Sequence, residues 1–177
     1  LIVVTLVALV SGLVWELPQN ILGGILSLFR KRGSEVSSYR EATVVRRRDG
    51  LPYNWGVSLG SFINVGGSQD DFRVPSMLAH EFGHTLQSRI LGPFYLLVVG
   101  FPSLIGCRLP LHDHRREWYE VWANRLSFRY HMKHGRESTT ARWNHFDYPL
   151  VYRLDWYSVP TFLYYAALVA LAITLFL

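Results

Sequence analysis

The chain has one cysteine among its 177 residues, Cys107, so no intrachain disulfide can form. A lone thiol fits a reducing compartment and excludes a disulfide-stapled secreted module. Charge is missing from both ends: Leu1 to Trp15 and Ser158 to Leu177 carry none. Internal repeats, low-complexity tracts and nucleic-acid motifs are also missing. The excess of 18 Lys and Arg over 13 Asp and Glu is therefore not read as a nucleic-acid surface. The first apolar run has neither a basic leader nor a small-x-small cleavage site, which argues for an anchor over a secretory signal.

Chemistry concentrates in one stretch, His80-Glu81-Phe82-Gly83-His84. Residues four apart share a helix face, so His80 and His84 can offer imidazole nitrogens to one Zn²⁺ while Glu81 is angled toward a water on that ion. The surroundings agree with a helix. Pro75 suits its first turn, Met77, Leu78, Phe82 and Leu86 form an apolar side, and Gly92-Pro93 ends the pattern. Gly83 weakens a helix by about 1 kcal/mol relative to alanine, which makes sense where another backbone or a metal site comes close. The bland alternative is a helix whose two His and one Glu are merely solvated.

The uncharged ends are expected to be two transmembrane helices, residues 1–17 and 158–177. The 18 residues from Pro160 onward would span about 27 Å, near the hydrocarbon thickness of a bilayer. Between Arg30 and Asp155 lie 18 basic and 12 acidic residues, a net +6. By the positive-inside tendency that part faces the cytoplasm at a bacterial inner membrane, with Arg30-Lys31-Arg32 and Arg46-Arg47-Arg48 as the strongest local signals. Residues 18–32, apolar but broken by Pro18 and Gly23-Gly24, are expected at the membrane interface in contact with lipid, or as a half-span.

Residues 33–157 should form the working domain. Tyr39 to Arg48 and Trp55 to Val65 read as two strands around Asp49-Gly50-Leu51-Pro52. Gly56 to Asn64 is a candidate edge strand for an extended peptide substrate, with ordinary packing as the alternative. Residues 91–107 are uncharged, and a complete crossing there would put the His pair and the downstream acids on opposite sides. A re-entrant hairpin bent at Gly100 to Pro102, or a packed helix pair, keeps them together. His114 to His131 reads as a second long helix with Glu117, Glu120 and Asn124 on one face, where a third ligand should be sought. His131, His134, His145, Tyr119 and Tyr130 are candidate oxyanion donors, and His112 with His114 is a weaker candidate for metal.

Several blocks together resemble a family of small bacterial membrane proteins: Trp15-Glu-Leu-Pro-Gln-Asn-Ile-Leu-Gly23, Ser58-Leu-Gly-Ser-Phe-Ile63, His80 to Ser88, Leu91-Gly-Pro-Phe-Tyr-Leu96, Gly100-Phe-Pro-Ser-Leu104 and Glu120-Val-Trp-Ala-Asn124. The catalytic part is similar to the gluzincin zinc peptidases, in which His-Glu-x-x-His is completed by Glu-x-x-x-Asp on a later helix. The resemblance implies an α+β, zincin-like core, with His80, His84 and Glu120 as zinc ligands, Glu81 as general base, Asn124 behind His80 and Glu117 as reserve ligand. Asn124 departs from the usual Asp and leaves a non-catalytic, partner-binding scaffold as the alternative. A site-2-type intramembrane protease fits less well, because Thr85, Gln87, Ser88 and Arg89 make the metal helix polar and no Leu-Asp-Gly occurs.

Overall fold

The computed structural model describes residues 14–29, 33–47, 55–66, 74–108, 114–134, 149–151 and 158–176. The basic cluster 30–32, residues 48–54 and 67–73, His112 and the 135–148 segment with His145 lie outside them.

Four strands form the sheet: β1 (Glu35–Tyr39), β2 (Ala42–Arg47), β3 (Gly56–Leu59) and β4 (Phe62–Gly66). Their order is β1-β2-β4-β3, with two antiparallel hairpins joined by a parallel β2–β4 pair. The expected strand Trp55 to Val65 is thus two, and the expected strand Tyr39 to Arg48 is β2, with β1 an unexpected strand ahead of it; two-residue turns separate the members of each pair. Arg40 (φ 55°) and Gly60 (φ 60°) each take the first central turn position in the left-handed region that a type II′ turn requires. The expected rail from Gly56 to Asn64 is corrected accordingly. Only β3 lies at the edge, while Phe62 to Asn64 are paired on both sides.

Alternation along the strands supplies two apolar faces. Ala42, Val44, Ile63 and Val65 pack with Met77 and Phe82 of α2 (Val74–Leu91), against which Leu78 and Leu86 also rest. The opposite face meets α1 (Leu17–Leu28), where Asn64 Nδ2 donates to Ser27 Oγ at 3.2 Å. The segment expected to be broken by Pro18 and Gly23-Gly24 is one continuous helix. Pro18 sits in its first turn, where no backbone donor is needed, and Gly23 lies where a Cβ would stand 2.4 Å from the Leu59 carbonyl oxygen.

The start of α1 is fastened to the end of α2. Ser88 Oγ donates to Glu16 Oε1 at 2.6 Å, Gln19 Nε2 donates to Ser88 Oγ and the Gly92 carbonyl, and Trp15 Nε1 donates to the Arg89 carbonyl. On the β3–β4 turn, Asn20 Oδ1 accepts the Ser61 amide at 2.8 Å. The Trp15 to Asn20 block is therefore a structural latch.

Two terminal transmembrane helices are not found. Among the described residues no single helix is long and apolar enough to cross a membrane. The C-terminal helix is α5 (Val159–Phe176), and among the described residues its apolar stretch is Val159–Leu171. Residues 1–13 of the expected first anchor lie outside the described part. Its end carries Glu16, buried and bonded to protein.

The expected hairpin bent at Gly100 to Pro102 is not found: the bend, of 118°, falls at Gly92 to Tyr95, between Ser76–Phe94 and Leu96–Gly106. Gly92 (φ 54°) and Pro93 break α2 there, whereas a π-helical turn (Leu96–Gly100) runs straight into α3 (Phe101–Gly106). The structure accommodates Pro102 by other means. Its missing N–H leaves the carbonyls five and four residues back, those of Leu97 and Val98, without that backbone partner. Tyr164 Oη and Tyr165 Oη of α5 donate to these two carbonyls.

Candidate metal centre

Two crossing helices build the site. α4 (Trp118–His134) lies against α2, and their contact is closest at Gly83, where a Cβ would meet the Ala123 carbonyl oxygen at 2.1 Å. That closeness brings His80 and His84 of α2 to Glu120 of α4, all three buried. Glu120 Oε2 lies 3.1 Å from His80 Nε2 and 3.0 Å from His84 Nε2, and the three ligand atoms fall within 4.8 Å of one another. Ligands 2.0–2.1 Å from a tetrahedral ion stand about 3.4 Å apart, so an ion would enter with the Glu120 oxygen drawing back from both imidazoles by only a few tenths of an ångström.

Each ligand is oriented from behind. His80 Nδ1 donates to Asn124 Oδ1 at 2.7 Å, and His84 Nδ1 donates to Gln87 Oε1 at 2.8 Å, which leaves Nε2 of both rings on the Glu120 side. Gln87 is fixed in turn by its Nε2 bond to the Tyr119 carbonyl at 2.6 Å. Ser103 of α3 donates to Glu120 Oε1 at 2.7 Å, which leaves Oε2 as the ligand atom. The folded-back apolar segment thus completes the centre. Asn124 donates through Nδ2 to the Pro149 carbonyl at 2.9 Å. A carboxylate there would set oxygen against oxygen, so the amide is the side chain that satisfies both neighbours.

Without a metal the site is an ion pair. Burial alone would push the His84 imidazolium down, but the Glu120 carboxylate outweighs it and, with Glu81, holds His84 up at about 9. Burial pushes the Glu120 carboxyl up, yet the His84 and His80 rings hold it well below the usual carboxylate range. A folded pKa raised above 6.5 stabilises the metal-free protein fully below pH 6.5, and that share is lost as pH rises through about 9. Metal must displace the His84 proton. We therefore expect apparent affinity for Zn²⁺ to climb by about tenfold per pH unit from pH 7 toward 9, with proton release seen when titration calorimetry is repeated in buffers of different ionisation enthalpy. A pH-independent affinity would contradict the ion pair.

Beside the centre lies a cavity of about 460 Å³. Glu81 borders it, and Ser58 Oγ of β3 stands 2.7 Å from Glu81 Oε2 and 2.8 Å from the Glu81 carbonyl. Tyr95 also lines it and donates to the Ser58 carbonyl at 3.2 Å. Burial, with Glu81 and Glu120 nearby, holds the Tyr95 phenol well above its usual range, so it stays a neutral donor.

Of the other candidates, Glu117 is buried just before α4 and acts on Tyr119 and Tyr165, outside the triad and the cavity lining. His131 accepts from Tyr39 Oη at 2.8 Å and donates to the Ser127 carbonyl, beyond Phe82. Tyr130 is bonded to Glu41, and His134 is exposed beside it. None of these, nor Tyr119, lines the cavity, whereas Tyr95 and His114 do. Gln87, Ser103 and Tyr95 are not singled out from sequence as site residues, because a lone Ser, Gln or Tyr has no spacing that marks it, and Ser58 is marked only as part of the expected edge strand, not as a partner of Glu81. Compared with family models, curated proteins and solved structures, the chain matches none.

Proposed function

We propose that this protein is a zinc-dependent metallopeptidase with a gluzincin-like site. The observation that carries the reading is the single Glu120 oxygen placed 3.0–3.1 Å from both imidazole Nε2 atoms, with Glu81 on the same helix at the cavity wall. Two neutral imidazoles and one carboxylate suit Zn²⁺ better than Mg²⁺ or Ca²⁺, which prefer oxygen. Zinc held there would supply Lewis acidity and a water of lowered pKa.

The chain's own residues do the rest. His80, His84 and Glu120 would hold the ion, and Asn124, Gln87 and Ser103 keep their ligand atoms aimed. Glu81 takes the proton from the attacking water and passes it to the leaving amine. Ser58 keeps that carboxylate at the cavity. An extended peptide could lie along β3, the free edge of the sheet beside the cavity. The scaffold alternative drew on Asn124, and the bond from its Nδ2 to Pro149 supports a fitted part of the centre instead. A location at the cytoplasmic face of a bacterial inner membrane, in contact with lipid, draws on the charge pattern of the sequence.

Glu81→Gln tests the mechanism. Zinc content should stay at the wild-type level while hydrolysis of casein or a quenched peptide falls by roughly 10²- to 10⁴-fold, the share of a general base. Unchanged hydrolysis in that variant removes Glu81 from the mechanism. Zinc-free wild type purified in folded form would remove the metal.

A further inference from the structure

We propose that the substrate of this site is an extended polypeptide segment carrying bulky apolar side chains, an inference that rests on the peptidase reading above. The cavity wall supports it. Leu22 and Leu26 come from α1, Leu59 from β3, and Leu96, Phe101 and Leu104 from the folded-back segment, so three separate elements turn apolar side chains to one space beside Glu81. At about 460 Å³ that space is of ligand-binding size. Among the described residues its acidic lining is Glu81 and Glu120, and Arg108 and His114 also border it. A lysine side chain entering among these leucine and phenylalanine side chains would lose its water to groups that cannot bond to it.

The backbone beside the wall is arranged for an extended chain. Just before β3, the Trp55 carbonyl accepts the Gly66 amide of β4, and the register pairs Val57 with Asn64 and Leu59 with Phe62. Antiparallel pairing alternates, so Gly56 and Ser58 turn their N–H and C=O groups to the outer edge. The Tyr95 bond to the Ser58 carbonyl comes from that side. No described strand occupies this edge. An incoming strand paired with Gly56 would set alternate side chains toward the cavity.

The exposure of the wall points the same way. Leu22 is 45 % exposed, Phe101 49 % and Leu104 46 %, so these lining residues leave apolar surface uncovered that a bound apolar segment would bury. It also means they can be changed without opening the core.

Labelled Ser/Thr nonapeptides carrying Leu, Phe, Ser, Lys or Asp at two alternate central positions test the proposal by fluorescence anisotropy, with the full chain both metal-free and zinc-loaded. The Leu and Phe peptides should bind about tenfold tighter or more than the other three. The Phe101→Ser, Leu104→Ser double variant should shrink that preference to about threefold or less with zinc uptake and circular dichroism unchanged. Equal binding of all five, preference for Asp or Lys, no binding, or an unaltered preference in the folded double variant would overturn it. Cleavage is scored separately. Apolar preference without cleavage sinks the peptidase reading and keeps this binding specificity, whereas cleavage without the preference does the reverse.

Discussion

Gly83→Ala should cost the protein both stability and its metal centre. Alanine is the better helix former by about 1 kcal/mol, so on an isolated helix the change would stabilise. Here the new Cβ would stand 2.1 Å from the Ala123 carbonyl oxygen, 2.6 Å from its carbon and 3.0 Å from its Cα. Those are backbone atoms of a helix and cannot swing aside. α2 and α4 must move apart, and overpacking of this kind costs about 1–3 kcal/mol or more, which outweighs the propensity gain. The same movement carries His80 and His84 away from Glu120 and Asn124, whose bonds of 2.7–3.1 Å all bridge the two helices. Urea denaturation should show a lowered midpoint, and zinc retained after dialysis should fall well below one equivalent. A variant as stable as wild type with full zinc would mean the helices are not in contact at Gly83.

On the proposed peptidase reading, Gly56→Ala should instead spare the fold and slow turnover. The added Cβ would fall 2.3 Å from Glu81 Oε1 and 2.9 Å from Glu81 Cδ, so the obstacle is the end of a side chain, which can yield. Yielding takes the carboxylate from the place where Ser58 Oγ, 2.7 Å from Oε2, now holds it. A general base displaced by an ångström loses much of its effect, and kcat should drop by on the order of 10²-fold. Zinc content should not change, because none of the ligands is touched. Stability measured in urea should shift by less than about 1 kcal/mol. Combining it with Glu81→Gln should add almost nothing to the loss, since both act through one carboxylate. A full further drop in the double variant would place the Gly56 effect elsewhere.

Much of the metal centre follows from spacing alone. His80 and His84 are one helical turn apart, and Glu120 with Asn124 repeats that interval, so each pair must share a face of its helix. Whether the faces meet is a matter of how α2 and α4 cross, and a single missing Cβ at Gly83 allows it. The groups that orient the ligands and Glu81 are hidden for the same reason. Ser58, Gln87 and Ser103 come from β3, α2 and α3, and a single polar residue in sequence carries no sign of its partner.

The sequence by itself determined the spacing of His80 with His84 and of Glu120 with Asn124, and the apolar runs that became β2, β3 and β4, because local periodicity is a property of the chain. Tertiary structure decided where residues 91–107 bend, that the strands form two hairpins joined in parallel, and that Glu16 and α1 dock on α2. Composition also favoured membrane-spanning ends, which the described helices do not supply. An apolar run records only that surface must leave water. What covers it, lipid or the rest of the protein, depends on contacts between residues as far apart as Glu16 and Ser88, and Leu97 and Tyr164.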